Sequence, residues 1–304
     1  MSKRLQGTLI LALAALVWGI SFVSQSEGMK YIEPNTFNGI RTLLGCISLI
    51  PVICVLDMQK KKKGTYKPMS STEKKDLIVA GIVCGIFLCI ASTVQTYGLK
   101  YTTAGKSGFI TALYMIFVPI VSVFLGKKIR PIVIISIVIA ILGMYFLCIK
   151  KGSLEINTGD ILTLICSVVF TFHILVIGHF SVKVDGVRLS CMQFLVGGTL
   201  NTILMFLIED PQIDLILKCT IPILYSGLMS CGVAYTLQIV GQKYAEPTVA
   251  SLVMSLESVF AALAGWLLLS EAMNMREIVG CVMMFAAITL VQLPEKQKAP
   301  QTDN

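Results

Sequence analysis

The chain has 304 residues, of which 55% are hydrophobic and 14% charged, with a formal net charge of +8 and a mean hydropathy of +0.81. Soluble domains carry about 25% charged residues, so this composition excludes a soluble globular protein, and it is too apolar for a disordered or collagen-like chain. Membrane embedding remains: at roughly 20 apolar residues per span, ten spans fit, and no extramembrane domain of ordinary size does.

Ten apolar runs follow in chain order, at about 6–26, 35–56, 77–98, 102–126, 131–149, 158–180, 188–208, 219–243, 247–270 and 274–293. Helices are expected, because a lipid-exposed backbone must satisfy its own hydrogen bonds; the alternating ten-residue pattern of a barrel is absent. The first run follows Lys3 and Arg4, is long for a signal-peptide core, and is read as a retained helix. With the N-terminus in the cytoplasm, the cytoplasmic segments carry Lys3, Arg4, Lys60, Lys61, Lys62, Lys63, Lys67, Lys74, Lys75, Lys127, Lys128, Arg130, Lys183, Arg188, Lys243, Lys296 and Lys298. The opposite side carries only Lys30, Lys100, Lys150, Lys151, Lys218 and Arg276. This excess places both termini in the cytoplasm of a bacterial-type plasma membrane. It assigns the basic charge to topology and lipid headgroups, with no nucleic-acid partner. Of the ten cysteines, Cys46, Cys84, Cys89, Cys166, Cys191, Cys231 and Cys281 sit inside apolar runs and no CxxC occurs, so buried thiols are expected.

The two halves repeat. Gly7, Trp18, Ser21, Arg41 and Gly45 shifted by 152 give Gly159, Phe170, His173, Gln193 and Gly197. Beyond the Lys-rich loop the offset is 143, and Gln95, Gly98, Tyr101, Leu113 and Phe117 match Gln238, Gly241, Tyr244, Leu256 and Phe260. Five spans per half is an odd number, so the second half must enter the membrane in the opposite sense. The expected fold is all-α and integral to the membrane: ten helices as two inverted five-helix repeats, 1–150 and 151–294, then a cytoplasmic tail 295–304.

Trp18-Gly19, Pro34, Arg41 and Gly143 resemble the first repeat of the EamA-type permeases of the drug/metabolite transporter superfamily. Tyr244-Ala245-Glu246-Pro247, the run Leu256 to Ala262, Leu269-Ser270-Glu271 and Gly280 resemble the second. Ser258 stands where the family often has Pro, and Lys127-Lys128 where it often has a glutamate. The resemblance implies a ten-helix carrier; such proteins move amino acids, sugars, nucleotide-like metabolites, amines and drugs, and many are exporters.

Polar groups inside spans point into the bundle, because lipid-facing charge is costly. Trp18, Ser21 and Gln25 share one face of the first span, with Phe170, His173 and Ile177 as counterparts in the sixth. Ser107, Thr111 and Tyr114 form a stripe on the fourth and map onto Ala250, Met254 and Glu257 on the ninth; Ser92 and Gln95 map onto Tyr235 and Gln238. The candidates for a central substrate cavity are therefore Trp18, Ser21, Gln25, Arg41, Gln95, Thr111, Tyr114, His173, Gln193, Tyr235, Gln238 and Glu257. Glu257 lies ten residues past Pro247, about 15 Å along a helix and near the middle of a roughly 30 Å core. It either carries a proton or a cationic substrate group, or it braces helices. Arg41 binds a substrate carboxylate or phosphate, pairs with Glu257, or snorkels to the interface. Gly81 and Gly85 make a GxxxG pattern that serves packing within the monomer or a homodimer contact.

No P-loop, HExxH or CxxC occurs, so no primary ATP-driven pump, metal site or cofactor is expected. The function indicated is a secondary transporter of a small metabolite, amino acid or drug-like molecule, working by alternating access and not an enzyme. The alternatives are a membrane-embedded enzyme acting on a lipid-linked substrate, which would need clustered carboxylates or histidines near one interface, and a channel, which would need a continuous polar lining.

Overall fold

The computed structural model describes residues 3–148, 156–269 and 274–293, and among these no strand occurs. Lys150, Lys151, Ser270, Glu271, Lys296 and Lys298, the 150/151 junction and the tail 295–304 lie outside the described residues.

Three long helices come first: α1 (Lys3–Gly28), α2 (Pro34–Lys62) and α3 (Ser71–Leu99). Pro34 opens α2, where its missing N–H costs nothing, and a Ser70/Glu73 capping box opens α3. The fourth apolar run, expected as one helix, is broken into α4 (Ala104–Thr111) and α5 (Tyr114–Phe124); α6 (Pro131–Cys148) follows. The second half begins with α7 (Thr158–Phe180) and α8 (Gly186–Ile208). The eighth run is composite: after α9 (Ile213–Lys218) come α10 (Thr220–Leu224), a π-helical segment Tyr225–Tyr235 and α11 (Thr236–Gln242). The ninth is broken into α12 (Pro247–Met254) and α13 (Glu257–Leu269), and α14 (Met275–Val291) is last. All ten runs are helical where described, and among the described residues eight stretches have the length and hydropathy of a span. Pro131–Leu147 is a shorter apolar helix, and the 17-residue α14 packs against it.

The helices are inside-out relative to those of a soluble protein. On α3, Ile78, Ile82, Ile86 and Ile90 face outward, while Gly81, Cys84, Gly85, Ser92 and Gln95 are buried. Such a surface suits hydrocarbon, and the chain is an all-α, multi-pass membrane protein.

The spacings of 152 and 143 carry through to the element ends. α1 and α7 end 152 apart, at Gly28 and Phe180; α2 and α8 begin 152 apart, at Pro34 and Gly186. α4 and α12 are 143 apart at both ends, and α5 and α13 begin 143 apart. Contacts are reciprocal in the same way. α1 packs on the π segment, α11 and α13, while its counterpart α7 packs on α3, α4 and α5; α2 packs on α8, and α6 on α14. A pseudo-two-fold axis between the halves produces this pattern. Helices cross closely at matched glycines: a Cβ on Gly143 would lie 2.9 Å from the Gly280 carbonyl oxygen, and one on Gly280 would lie 2.6 Å from that of Gly143. Gly81 and Gly85 face Met192 and Val196 of α8, so the GxxxG pattern is spent on packing within the monomer.

The α2/α8 seam is fastened at both ends by carboxylates 152 residues apart. Glu209, just past α8, accepts hydrogen bonds from the backbone N–H groups of Asn35 and Thr36 at 2.8 and 2.7 Å. Asp57, near the end of α2, receives Arg188 of α8 at 2.7 and 2.6 Å. Arg188 is itself 152 residues from Thr36.

Candidate functional site

The breaks in the fourth and ninth runs build the site. At the first, Leu113 N–H bonds to Ile110 O at 3.2 Å and Met115 N–H to Ala112 O at 3.1 Å. At the second, Leu256 N–H bonds to Val253 O and Ser258 N–H to Ser255 O, both at 3.2 Å. These i→i−3 bonds replace the α-helical ladder for one turn. Tyr114 and Glu257 are therefore the first residues of the half-helices α5 and α13. A carboxylate suits the positive end of a helix dipole. The Tyr114 hydroxyl donates to Glu257 Oε1 at 3.0 Å, joining the two breaks across the pseudo-two-fold axis.

Around this pair lies a cavity with about 490 Å³ of empty space, part of it open to the outside. Trp18, Phe22 and Gln25 of α1 line one side, and Arg41 of α2 with Gln95 of α3 another. Thr111 and Tyr114, then Met254 and Glu257, come from the broken runs; Phe170 and Ile174 come from α7, and Ser230, Tyr235 and Gln238 from the π segment and α11. Apart from Trp18, every one of these residues is buried or nearly so, Arg41 at 3% and Glu257 at 5% exposure. Ala80, Cys84, Ile177, Leu189 and Ile239 cluster where α7 ends and α8 begins; Ile32, Phe37, Cys219 and Ile223 cluster at the opposite end.

Few of the lining polar groups are spent on the protein. Gln95 Nε2 donates to Thr111 Oγ1 at 3.2 Å, while Gln25 Nε2 reaches only its own helix, at Ser21 O, 3.4 Å away. Trp18 Nε1, Gln25 Oε1 and Gln238 Oε1 are buried with no hydrogen-bond partner among the described residues. Trp18 stands edge-on to Tyr235 at 4.8 Å between centroids. Arg41 does not pair with Glu257: its Nε donates to Asn38 Oδ1 at 2.9 Å, and Phe37 lies beneath its guanidinium. It does not snorkel either, being buried. Among the described residues no group of three or more His, Cys, Asp or Glu side chains is placed to hold a metal.

Nine of the twelve sequence candidates line this cavity: Trp18, Gln25, Arg41, Gln95, Thr111, Tyr114, Tyr235, Gln238 and Glu257. Ser21, His173 and Gln193 do not. His173 Nε2 and Gln193 Oε1 meet at 3.0 Å between α7 and α8, both fully buried. The cavity face of α7 is Phe170 and Ile174 rather than Phe170, His173 and Ile177, and the imidazole is turned to Gln193 of α8 instead. Ser21 is packed away at 0% exposure. Sequence reasoning missed Phe22, Ile174 and Ser230. The first two are one turn beyond Trp18 and Phe170 and were legible as such. Ser230 sits in the π segment, where the wider turn shifts the register of the repeat.

Comparison with known proteins agrees with this architecture. The model of the EamA-like transporter family matches the chain twice, at residues 5–149 and 157–293. A protein of Archaeoglobus fulgidus named an uncharacterized transporter is 29% identical over 299 residues, covering 96% of this chain and 87% of that one. The uncharacterized transporter YoaV of Bacillus subtilis is 23% identical over 279 residues, covering 90% and 92%. A solved structure titled only "Crystal structure of protein" superposes with a TM-score of 0.73 at 16% identity, covering 94% of this chain and 96% of that one, which speaks for the fold alone. With two copies of the family's pattern spanning nearly its whole length, this chain belongs to the EamA-like transporter family.

Proposed function

We propose that the protein is a secondary transporter that moves a small metabolite, amino acid or drug-like molecule across the cytoplasmic membrane by alternating access. The carrying observation is the buried-lined, partly polar cavity at the meeting point of two helix breaks related by the 143-residue offset. Inverted-repeat carriers hold substrate at such a midplane interface between discontinuous helices. The halves 1–150 and 151–294 are the units that rock, with both termini in the cytoplasm as the charge excess indicates. In this scheme the apolar clusters at the two ends of the bundle separate in turn as the cavity opens to one side and then the other. Glu257 is the coupling group of this scheme: the Tyr114 hydroxyl donates to it at 3.0 Å, and the carboxylate can gain or lose a proton as the halves move.

The test is counterflow in proteoliposomes. Vesicles loaded with an unlabelled metabolite should transiently concentrate the same compound, labelled, from outside, and return it chemically unchanged. Flux without counterflow would identify a channel, and a product of altered mass would identify an enzyme; either refutes the carrier.

A further inference from the structure

Arg41 is a buried cation that no carboxylate among the described residues neutralises. It lines the cavity and is 3% exposed. Its stem is held from two sides. Nε donates to Asn38 Oδ1 at 2.9 Å, and Asn38 Nδ2 donates to Thr96 Oγ1 of α3 at 2.8 Å, so Asn38 is fixed between α2 and α3. The guanidinium carbon stands 5.3 Å from the centroid of the Phe37 ring. Both Nη groups remain free: among the described residues no carboxylate pairs with Arg41 and no acceptor meets either Nη.

A guanidinium cannot shed its proton to escape burial, and an unpaired buried charge is costly to keep. Glu257, the carboxylate of the same cavity, is engaged with Tyr114 instead. Trp18 Nε1, a second donor on the cavity wall, is likewise buried with no hydrogen-bond partner among the described residues. Two unspent donor groups of a planar fork, aimed by a fixed neighbour, match the geometry of a carboxylate or phosphate.

We propose that Arg41 is the cavity's oxyanion-recognition residue, that its substrates carry a carboxylate or phosphate end received by the two Nη groups, and that Asn38 is the positioning residue that aims them. This rests on the transport reading, which locates the substrate in this cavity. Asn38 touches no substrate; it acts by using up Nε and turning the fork inward.

The experiment is thermal unfolding of the detergent-purified full chain with matched probes at constant ionic strength: benzoate against benzamide, phenyl phosphate against phenol, and inorganic phosphate. The anionic member of each pair should stabilise the parent and the neutral member should not. Arg41→Gln should weaken the anion effect at least tenfold, as expected for hydrogen bonds to a charged group. Arg41→Lys, which keeps the charge and loses the fork, should weaken it less. Asn38→Ala should weaken anion binding while leaving the response to neutral compounds unchanged. A readout without ligand separates this from a bracing role: Arg41→Met, which deletes an unpaired buried charge, should unfold no lower than the parent. The proposal is overturned if no anion stabilises the parent in an Arg41-dependent way, or if Arg41→Met alone lowers the unfolding temperature markedly. Counterflow of neutral compounds by parent and Arg41→Gln alike would overturn it and leave the carrier standing. Arg41-dependent anion binding with no flux would uphold the site and refute the carrier.

Discussion

Glu209 caps a helix that begins 175 residues before it, at Pro34. The residue just before α2, Glu33, makes no side-chain cap and instead pairs with Lys100 at 2.6 Å. The N–H groups of Asn35 and Thr36, unsatisfied in any helix start, are taken by the Glu209 oxygens at 2.8 and 2.7 Å. The same carboxylate accepts from Asn35 Nδ2 at 2.7 Å, Thr36 Oγ1 at 2.8 Å and Tyr97 Oη at 3.2 Å. An ordinary N-cap contributes about 0.5–2 kcal/mol, a negative charge at the helix start roughly 0.3–1 kcal/mol, and a net hydrogen bond about 1 kcal/mol. Glu209→Ala should therefore cost about 3 kcal/mol, with the freed side chains partly rescued by water. Glu209→Gln keeps one acceptor but presents an NH₂ to the second N–H, and should cost about 1–2 kcal/mol. At the other end of the seam, Asp57 and Arg188 are 24% and 23% exposed, so Asp57→Ala should cost only about 1 kcal/mol. With a few degrees per kcal/mol for a chain of this size, thermal unfolding in detergent should rank Glu209→Ala lowest, by about 5–10 °C, then Glu209→Gln, then Asp57→Ala. If Asp57→Ala falls as far as Glu209→Ala, the capping account is wrong.

Gly143→Ala and Gly280→Ala each put a methyl within 3 Å of the opposing backbone and should cost about 1–3 kcal/mol; the double variant should cost less than the sum, since both push the same helices apart, and strict additivity in thermal unfolding would count against direct contact. Cys46 Sγ and Cys191 Sγ lie 3.6 Å apart between α2 and α8, so a mild thiol oxidant should link them. After cleavage at a protease site placed in the 64–68 loop, the two fragments should stay joined until reduced, and separation without reductant refutes the contact. Glu257→Gln should fold normally and lose the pH dependence of counterflow, whereas Tyr114→Phe should retain it with an altered rate. An unchanged pH profile for Glu257→Gln would leave Glu257 only its hydrogen bond to Tyr114.

The apolar runs, the two spacings and the buried polar stripes were all legible in the chain, because bilayer thickness and the cost of polar groups in hydrocarbon act on each helix separately. The same rules picked out Glu257, Arg41 and Gln95 as inward-facing before any packing was known. The breaks were not legible: Ala112-Leu113 and Ser255-Leu256 contain neither Gly nor Pro, and a helix opens there because neighbouring helices hold both halves in place. His173 was misplaced for a related reason. Helical periodicity gives a face to within about a third of a turn, and the nearest polar partner, Gln193 at 3.0 Å, decided which way within that face the imidazole turned. Glu209 repeats Asp57 at the 152-residue offset, yet a carboxylate at a helix end names no partner. Which N–H groups it caps, which glycines meet, and that Arg41 has no carboxylate partner among the described residues are properties of pairs of helices, and only the tertiary structure brings those pairs together.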